Sequence, residues 1–292
     1  PAAAGMNPSI IRMRPAFKQK FTGLALFLTL ALPCAMRADD VNPVPGISYS
    51  TLEQVVPGPG LPEGLELGGA NNNLDLAQYE GRFFFAFRTA PTHFASRETR
   101  LIILSSPDAK TWQVEKIIHK GRDMREPRVL VHKNRLFFYF FTAGKNPWTF
   151  SPQHIWAMEY EGPGQWTEPR TIWKPGCVNW RAKEHNGVAL MTTYCAAGVT
   201  ETMGGEPSEV SLLKSEDGFN WTYYDPERPV QLYGGSEAAF EFDDEGNFYT
   251  VVRNEAGASK ICSAPADDIG NWECVDSPYK YDSPLMFKHN SQ

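Results

Sequence analysis

The sequence predicts an all-β fold, a β-propeller of four-stranded blades, on three observations. Aromatic residues make up 13% of the 292 residues and occur with 24 glycines and 23 prolines, a composition typical of many short strands joined by turns. A tryptophan recurs at intervals of 54, 55 and 51 residues, at Trp112, Trp166, Trp221 and Trp272. A tight-turn residue between two apolar runs recurs at intervals of 53, 53 and 59 residues, at Gly81, Asn134, Gly187 and Gly246.

Each repeat contains two hairpins. In the first repeat, residues 74–81 lead through Gly81 into the apolar run 82–88, and a second apolar run turns before it reaches Trp112. Four strands in about 53 residues are the size of one propeller blade. Two stacked β-sandwiches are the alternative architecture, but they do not explain the regular tryptophans.

The repeats also predict how the chain is organised. They form four complete blades, and residues 282–290 resemble the start of a fifth. We therefore expect a ring of five or six blades when complete, and a sequence that stops inside it. The expected parts are a leader over residues 1–38, a lead-in rich in proline and glycine over 39–70, and an incomplete propeller over 71–292.

The first residues have the pattern of a secretory signal peptide. Basic residues at positions 12–20 precede a short apolar run over 21–32, which is followed by the small residues Ala35 and Ala38. We expect a secreted or periplasmic protein that has no stable membrane span once this leader is removed. The formal charge of −6 offers no polycation to nucleic acid, so a nucleic-acid partner is not expected.

Four cysteines follow the leader, and each consecutive pair brackets a strand–turn–strand stretch. In an oxidising compartment, Cys177–Cys195 and Cys262–Cys274 are plausible disulfides, with four buried free thiols as the alternative. Neither pair has the spacing of zinc ligands, so we predict no metal site and no cofactor.

Two of the turns before the tryptophans resemble the Asp-box of bacterial sialidases, Ser-x-Asp-x-Gly-x-x-Trp. The turn from Ser215 through Asp217 and Gly218 to Trp221 is a good match, and the turn from Ser106 through Asp108 to Trp112 has Lys110 in place of glycine. In such a turn the aspartate accepts hydrogen bonds from nearby N–H groups, a glycine takes the positive φ, and the tryptophan packs across the hairpin. The resemblance implies a sialidase-like propeller.

A longer stretch, residues 236–253, resembles the sialidase segment with a catalytic glutamate and one arginine of the cluster that binds the substrate carboxylate. The resemblance assigns these roles to Glu237 and Arg253, and Arg88 is similar to the arginine that follows the first hairpin. The family's Arg-Ile-Pro motif is replaced here by Asn73-Leu74-Asp75. The third cluster arginine and the tyrosine nucleophile of the family would fall near or beyond the last residue.

The innermost strand of each blade begins at one rim of the central channel, so the first residues of these strands should converge. They are residues 73–75, 125–128, 179–181, 236–237 and 281–283, and four of these five sets contain a carboxylate. Glycoside hydrolysis usually needs two carboxylates. We predict Asp75 and Glu237 as the catalytic pair, with Asp282 and Glu126 as further candidates.

Arginines and aromatic residues complete the predicted site. Bidentate guanidinium groups suit a sugar carboxylate, and aromatic rings suit a sugar face. The predicted substrate-binding residues are Arg88, Arg125, Arg128, Arg181, Arg253 and Trp180, with Tyr281 as a second ring. The alternatives are structural: Arg125 and Arg128 pairing with Asp123 and Glu126, Trp180 in the core, and His93 on a solvated loop.

Three functions remain open at this point. The first is an exported, sialidase-like glycoside hydrolase that acts on terminal acidic sugars. The second is a five-bladed, arabinanase-like glycosidase that uses channel carboxylates. Asp75 favours it, because this residue stands where sialidases have an arginine. The third is a propeller without catalytic activity that binds a glycan or a protein.

Overall fold

A computed structural model describes residues 53–145, 151–195 and 208–288, and the predicted leader lies outside these residues. They form four antiparallel sheets in which the strands pair in chain order. Blade 1 contains β1 (Ala70–Tyr79), β2 (Arg82–Ala90), β3 (Arg100–Ser106) and β4 (Gln113–Ile118). Blade 2 contains β5 (Met124–His132), β6 (Arg135–Thr142), β7 (Ile155–Gly162), β8 (Gln165–Trp166) and β9 (Arg170–Trp173).

The other two blades repeat this arrangement. Blade 3 contains β10 (Cys177–His185), β11 (Val188–Cys195), β12 (Glu209–Ser215), β13 (Trp221–Tyr223) and β14 (Leu232–Tyr233). Blade 4 contains β15 (Ala238–Phe242), β16 (Phe248–Val252), β17 (Lys260–Ala264) and β18 (Glu273–Asp276). Blades 2 and 3 each have one extra short strand, since β9 pairs with β7 and β14 pairs with β12. The prediction of an all-β propeller of four-stranded blades is confirmed.

The predicted turn residues have the backbone geometry that the hairpins require. Gly81, Asn134, Gly187 and Gly246 have φ values of 71°, 56°, 80° and 85°. This left-handed region is open to glycine and tolerated by asparagine, which is why these residue types recur at the turns.

The recurring tryptophans pack into the cores of the blades. Trp112, Trp166 and Trp221 are buried, and Trp272 packs against the core of blade 4. The turns before two of them are held by aspartate: Asp217 accepts hydrogen bonds from the N–H groups of Phe219 (2.9 Å) and Asn220 (2.7 Å). In the other, Asp108 accepts from the N–H groups of residues 110 and 111, both at 2.9 Å.

The positive φ of these two turns follows the aspartate directly. Gly218 has a φ of 78° and Ala109 a φ of 57°. In both turns the positive φ thus lies one residue before the position of the motif's glycine, at Ala109 and not at Lys110 in the first turn. Ala109 adopts this left-handed conformation without being a glycine. Gly218 has a second constraint, because a Cβ there would lie 2.6 Å from the Phe137 ring.

Both predicted disulfides form, so the alternative of four free thiols is wrong. Cys177 and Cys195 lie directly opposite each other on β10 and β11, and Cys262 and Cys274 do so on β17 and β18. The Cα atoms are 4.1 and 4.0 Å apart, respectively. Each bond therefore joins neighbouring strands within one blade.

The innermost strands β1, β5, β10 and β15 are neighbours in chain order, with residues 283–288 beside β10 and β15. Trp180 donates to the Pro284 carbonyl, and the Lys288 N–H donates to Glu241 at 3.2 Å. The segment that we predicted to begin a fifth blade thus follows the innermost strands, although it contains no assigned strand. In the described part of the chain, no helix is long and apolar enough to cross a membrane.

Candidate active site

A backbone irregularity marks the first residues of three innermost strands. The pairing register shifts at residues 72–75 of β1, 125–128 of β5 and 179–181 of β10. Asn73 and Glu126 have positive φ values of 51° and 48°, and Ser283, beside β15, has 55°. Bulges redirect side chains, and left-handed backbone at a residue other than glycine costs about 1–3 kcal/mol. The repeat therefore carries the same local distortion to one rim of the channel.

Glu126 lies at the centre of this rim. Its carboxylate accepts hydrogen bonds from the Asn73 amide of blade 1 and from Arg128 Nη2 at 2.7 Å, while its carbonyl accepts from the Asn179 amide of blade 3 at 2.9 Å. Burial and the negative charge of Glu237 together raise the pKa of Glu126 to about 7, against the opposing effect of Arg128. Three blades thus meet at Glu126, with blade 1 bonded to its carboxylate and blade 3 to its backbone carbonyl.

Glu237 immediately precedes β15 and is 11% exposed. It accepts hydrogen bonds from Arg253 Nη1 at 3.0 Å and from the Ser283 N–H at 2.9 Å. Burial raises its pKa, and these two donors oppose that shift by stabilising the ionised form. A cavity of about 320 Å³ lies beside this pair and is lined by Val251 and residues 281–285.

Asp75 has a partner on each of its two oxygens. Oδ1 pairs with Arg181 of β10 at 2.9 Å, and Oδ2 accepts from the Val129 N–H of β5 at 2.9 Å. The side chain therefore joins blades 1, 2 and 3. Its catalytic assignment stays a prediction, but the contacts describe a connecting role.

Arg88 is fully buried, with 0% of its side chain exposed, so the structure does not bring it to the channel surface. Its Nε and Nη2 donate to Asp123 at 3.1 and 2.8 Å. Nη1 also donates to Asn72 and to one backbone carbonyl, and Nη2 to a second. The contact of Arg88 with a substrate carboxylate stays a prediction, and the contacts observed here describe a structural role.

Arg128 and Trp180 are also buried, and their contact with a substrate stays a prediction. Arg128 donates to the carbonyls of Trp180, Leu74 and Pro127, and its guanidinium lies 5.0 Å from the centre of the Trp180 ring. The Trp180 ring is therefore part of the packing between blades and not an open sugar platform. Arg128 has the structural role that we considered as its alternative.

Arg125 and Arg253 are partly exposed. Arg125 pairs with Asp123 Oδ2 at 2.6 Å, as the structural alternative anticipated. Arg253 contacts Glu255 and Asp282 as well as Glu237, the first two at 2.9 Å. Asp282 lies at the outer edge of the site and is 58% exposed. Each predicted substrate-binding arginine thus pairs with a protein carboxylate.

Three residues inside the predicted rim ranges had no predicted role. Asn73 and Asn179 bridge the blades through Glu126, and the Ser283 N–H binds Glu237. Asp123, predicted only as a structural partner, organises two arginines. Their position in the repeat could have indicated a role for the two asparagines, since an asparagine occurs near the start of the innermost strand in two repeats. Across the described ranges, no group of three or more histidine, cysteine or acidic residues could hold a metal ion.

Similarity to known proteins is found in the three-dimensional structure but not in the sequence. No protein-family model matches the chain, and no curated protein matches its sequence. A Hadza microbial sialidase superposes with a TM-score of 0.57 and 14% identity, over 73% of this chain and 47% of the sialidase. A family 117 glycoside hydrolase of the marine bacterium Zobellia galactanivorans has a TM-score of 0.51 and 13% identity, over 73% and 70%.

A third similar structure is the Trypanosoma rangeli sialidase in complex with sialic acid, with a TM-score of 0.52 and 17% identity. The match covers 71% of this chain and 38% of that sialidase. The chain therefore spans less than half the length of the sialidases that it matches. At these identities the similarity establishes the fold, and this protein has a sialidase-like β-propeller fold.

Proposed function

We propose that this protein is a glycoside hydrolase in which Glu126 is the general acid and Glu237 the second carboxylate. The observation that carries the proposal is Glu126 itself, a buried carboxyl group at the channel rim with a pKa raised to about 7. A general acid works best when its pKa lies near the working pH, because it must hold a proton and still release it. Two neighbouring carboxyl groups with different environments are the pattern of glycosidase acid and base pairs.

In the proposed reaction, the protonated Glu126 transfers its proton to the glycosidic oxygen as the bond from that oxygen to the anomeric carbon breaks. The ionised Glu237 either removes a proton from the water that attacks the anomeric carbon, or attacks that carbon itself to form an ester that water then hydrolyses. Arg253 and the Ser283 N–H hold Glu237 in its charged form through the two hydrogen bonds described above. Glu126 replaces Asp75 in the pair because burial raises its pKa to about 7, which suits a proton donor.

For the substrate we propose a neutral sugar. A clamp for a sugar carboxylate needs positive charge that the protein does not already neutralise, and Arg181 and Arg253 both lie against carboxylates. The second candidate is an acidic sugar. One observation favours it: the Arg253 side chain is 27% exposed and pairs with Asp282, which lines the 320 Å³ cavity.

We extend the proposal to an exported protein with Asp-box turns and a carbohydrate partner. The leader pattern at residues 12–38 supports export, and two disulfides suit an oxidising compartment. The aspartate hydrogen bonds of the two turns support the Asp-box assignment.

The test is a panel of fluorogenic glycosides that contains an arabinoside, a galactoside, a glucuronide and a sialoside. We expect hydrolysis of a neutral glycoside, and a loss of 10²–10⁴-fold in kcat for Glu126→Gln. Glu241→Gln is the matched control, because Glu241 lies on β15 four residues beyond Glu237 and pairs with Lys183. Hydrolysis of the sialoside or glucuronide alone would select the second candidate. Inactivity on the whole panel, with retained glycan binding, would indicate a propeller that only binds.

A further inference from the structure

The loop that follows β2 is held by a set of charged donors. The carbonyl oxygens of Thr92, His93 and Phe94 all accept hydrogen bonds from guanidinium groups. Arg88 donates to the first and third at 3.3 and 3.0 Å, and Arg125 donates to the second at 2.9 Å. Three consecutive peptide groups of an exposed loop are therefore fixed by arginine side chains.

A single buried carboxylate orients both arginines. Asp123 Oδ1 accepts from Arg88 and from the Thr99 hydroxyl, and Oδ2 accepts from Arg125. Packing does not explain the order of this loop, because the residues at positions 91–94 are exposed and bury little apolar surface. The charged network orders a loop whose side chains point away from the core.

The same network sets the hydrogen-bonding state of His93. Arg88 donates to Asn72 Oδ1 at 3.3 Å, so the Asn72 amide nitrogen faces His93 Nδ1, 2.9 Å away. An amide N–H can only donate, so Nδ1 accepts and the neutral ring carries its proton on Nε2. Burial, together with the charges of Arg125 and Arg88, lowers the pKa of His93 and favours this neutral form.

Two neighbouring asparagines connect His93 to the proposed acid, Glu126. Its partner Asn72 precedes Asn73 in the bulge of β1, and the Asn73 amide donates to Glu126. Nε2 of His93 makes no hydrogen bond with the residues that the structure describes, and the adjacent Phe94 ring is 62% exposed. An oriented donor and an exposed aromatic ring thus stand together at the edge of the rim.

We propose that His93 and Phe94 form a sugar-binding rim that positions the substrate above Glu126, with Nε2–H donating to a sugar hydroxyl and Phe94 packing on a sugar face. The inference rests on the proposed function and adds the residues that orient the glycoside. His93 and Phe94 are positioning residues, and Arg88, Arg125 and Asp123 hold them in place.

Kinetics with the glycoside that the wild-type protein hydrolyses fastest test the rim. We expect His93→Ala and Phe94→Ala each to raise KM about tenfold with kcat changed less than threefold. His93→Gln, whose amide N–H can replace Nε2–H, restores most of the affinity. Controls are His119→Gln, an exposed histidine bonded to the Arg97 carbonyl, and Tyr233→Ala, an exposed aromatic residue of blade 3. Equal loss in the Ala and Gln variants of His93, or no loss in any variant, overturns the proposal.

Nuclear magnetic resonance of the His93 imidazole nitrogens separates this inference from the proposed function. We expect a protonated Nε2 and an unprotonated Nδ1 in the free protein, and a shift of the Nε2–H signal when a glycoside of the panel is added, each glycoside being tried in turn. If the wild-type protein hydrolyses no glycoside but the signal shifts, the catalytic proposal fails and the rim stands. If hydrolysis occurs without a shift, the rim fails and the catalytic proposal stands.

Discussion

The Arg88–Asp123 pair and the Arg253–Glu237 pair join the same kinds of side chain at 2.8 and 3.0 Å. Each arginine lies on or just beyond the second strand of its blade, β2 in blade 1 and β16 in blade 4. Both members of the first pair are fully buried and the arginine has every donor group bonded, whereas the second pair is partly exposed beside a cavity. The two pairs therefore differ in burial. The buried Arg88–Asp123 pair holds a loop, whereas the partly exposed Arg253–Glu237 pair is accessible to a ligand.

The largest expected effect concerns activity at the exposed pair. Glu237→Gln removes the ionised carboxylate but keeps its shape, so kcat should fall 10²–10⁴-fold. The free energy of unfolding should change by no more than about 1 kcal/mol, because burial already disfavours the charge of Glu237. Steady-state kinetics and urea unfolding measure the two effects. Unchanged turnover would remove Glu237 from the mechanism.

The next effect concerns stability at the buried pair. Asp123→Asn leaves the Arg88 charge buried without its carboxylate, so the free energy of unfolding should fall by about 3–5 kcal/mol. The melting temperature should fall by roughly 2–4 °C for each kcal/mol. Differential scanning calorimetry measures this, with Glu255→Gln as the control, since Glu255 pairs with Arg253 at an exposed position. A loss below about 1 kcal/mol would contradict the structural role of the pair.

The third prediction concerns the pH dependence of Glu126. Its pKa is raised from 4.5 to about 7, so the acid is protonated below pH 7 and loses its proton above it. We expect kcat/KM to fall about tenfold per pH unit on the alkaline side of pH 7. The same shift makes the folded state lose stability as pH rises from 4.5 to 7, because the unfolded chain releases this proton first.

Glu126→Gln tests the effect of pH on stability. The variant has no carboxyl group at this position, so its stability should not show the loss between pH 4.5 and 7. Urea unfolding of both proteins at pH 5 and pH 8 measures the difference. Identical pH dependence in the two proteins would show that Glu126 has an ordinary pKa.

The smallest expected effect is a change in the free energy of unfolding at the partly exposed Arg253–Glu237 pair, whose charges are screened by solvent. Arg253→Met should lower the free energy of unfolding by less than about 1 kcal/mol, because partly exposed ion pairs contribute little. The difference from the wild-type protein should shrink further in 1 M NaCl, where charges are screened within about 3 Å. The loss caused by Asp123→Asn should not change with salt. Equal salt dependence would contradict the comparison of the two pairs.

Several features could be predicted because they depend on local sequence. The spacing of the tryptophans and of Gly81, Asn134, Gly187 and Gly246 fixes the hairpins, since tight turns need residues that tolerate positive φ. The pairing of Glu237 with Arg253 is local as well, because they lie at the two ends of the β15–β16 hairpin. Both disulfides join residues directly opposite each other on paired strands, as their strand–turn–strand spacing allowed.

Other features were decided only when blades packed together. Arg88 and Arg253 cannot be distinguished by residue type, yet Asp123 of the next blade encloses the first and the second stays accessible. Asp75 could not be separated from Glu126 in the sequence, because the partners that occupy Asp75 come from β5 and β10.

What the sequence determines by itself is therefore the blade, its turns and the rim at which the innermost strands begin. The tertiary structure decides which charged side chains at that rim are saturated and which are open to a ligand. The physical reason is that partner groups and desolvation come from residues far away in the sequence, 35 positions for Asp123 beside Arg88 and 53 for Asn73 beside Glu126. The pattern of one strand does not contain that information.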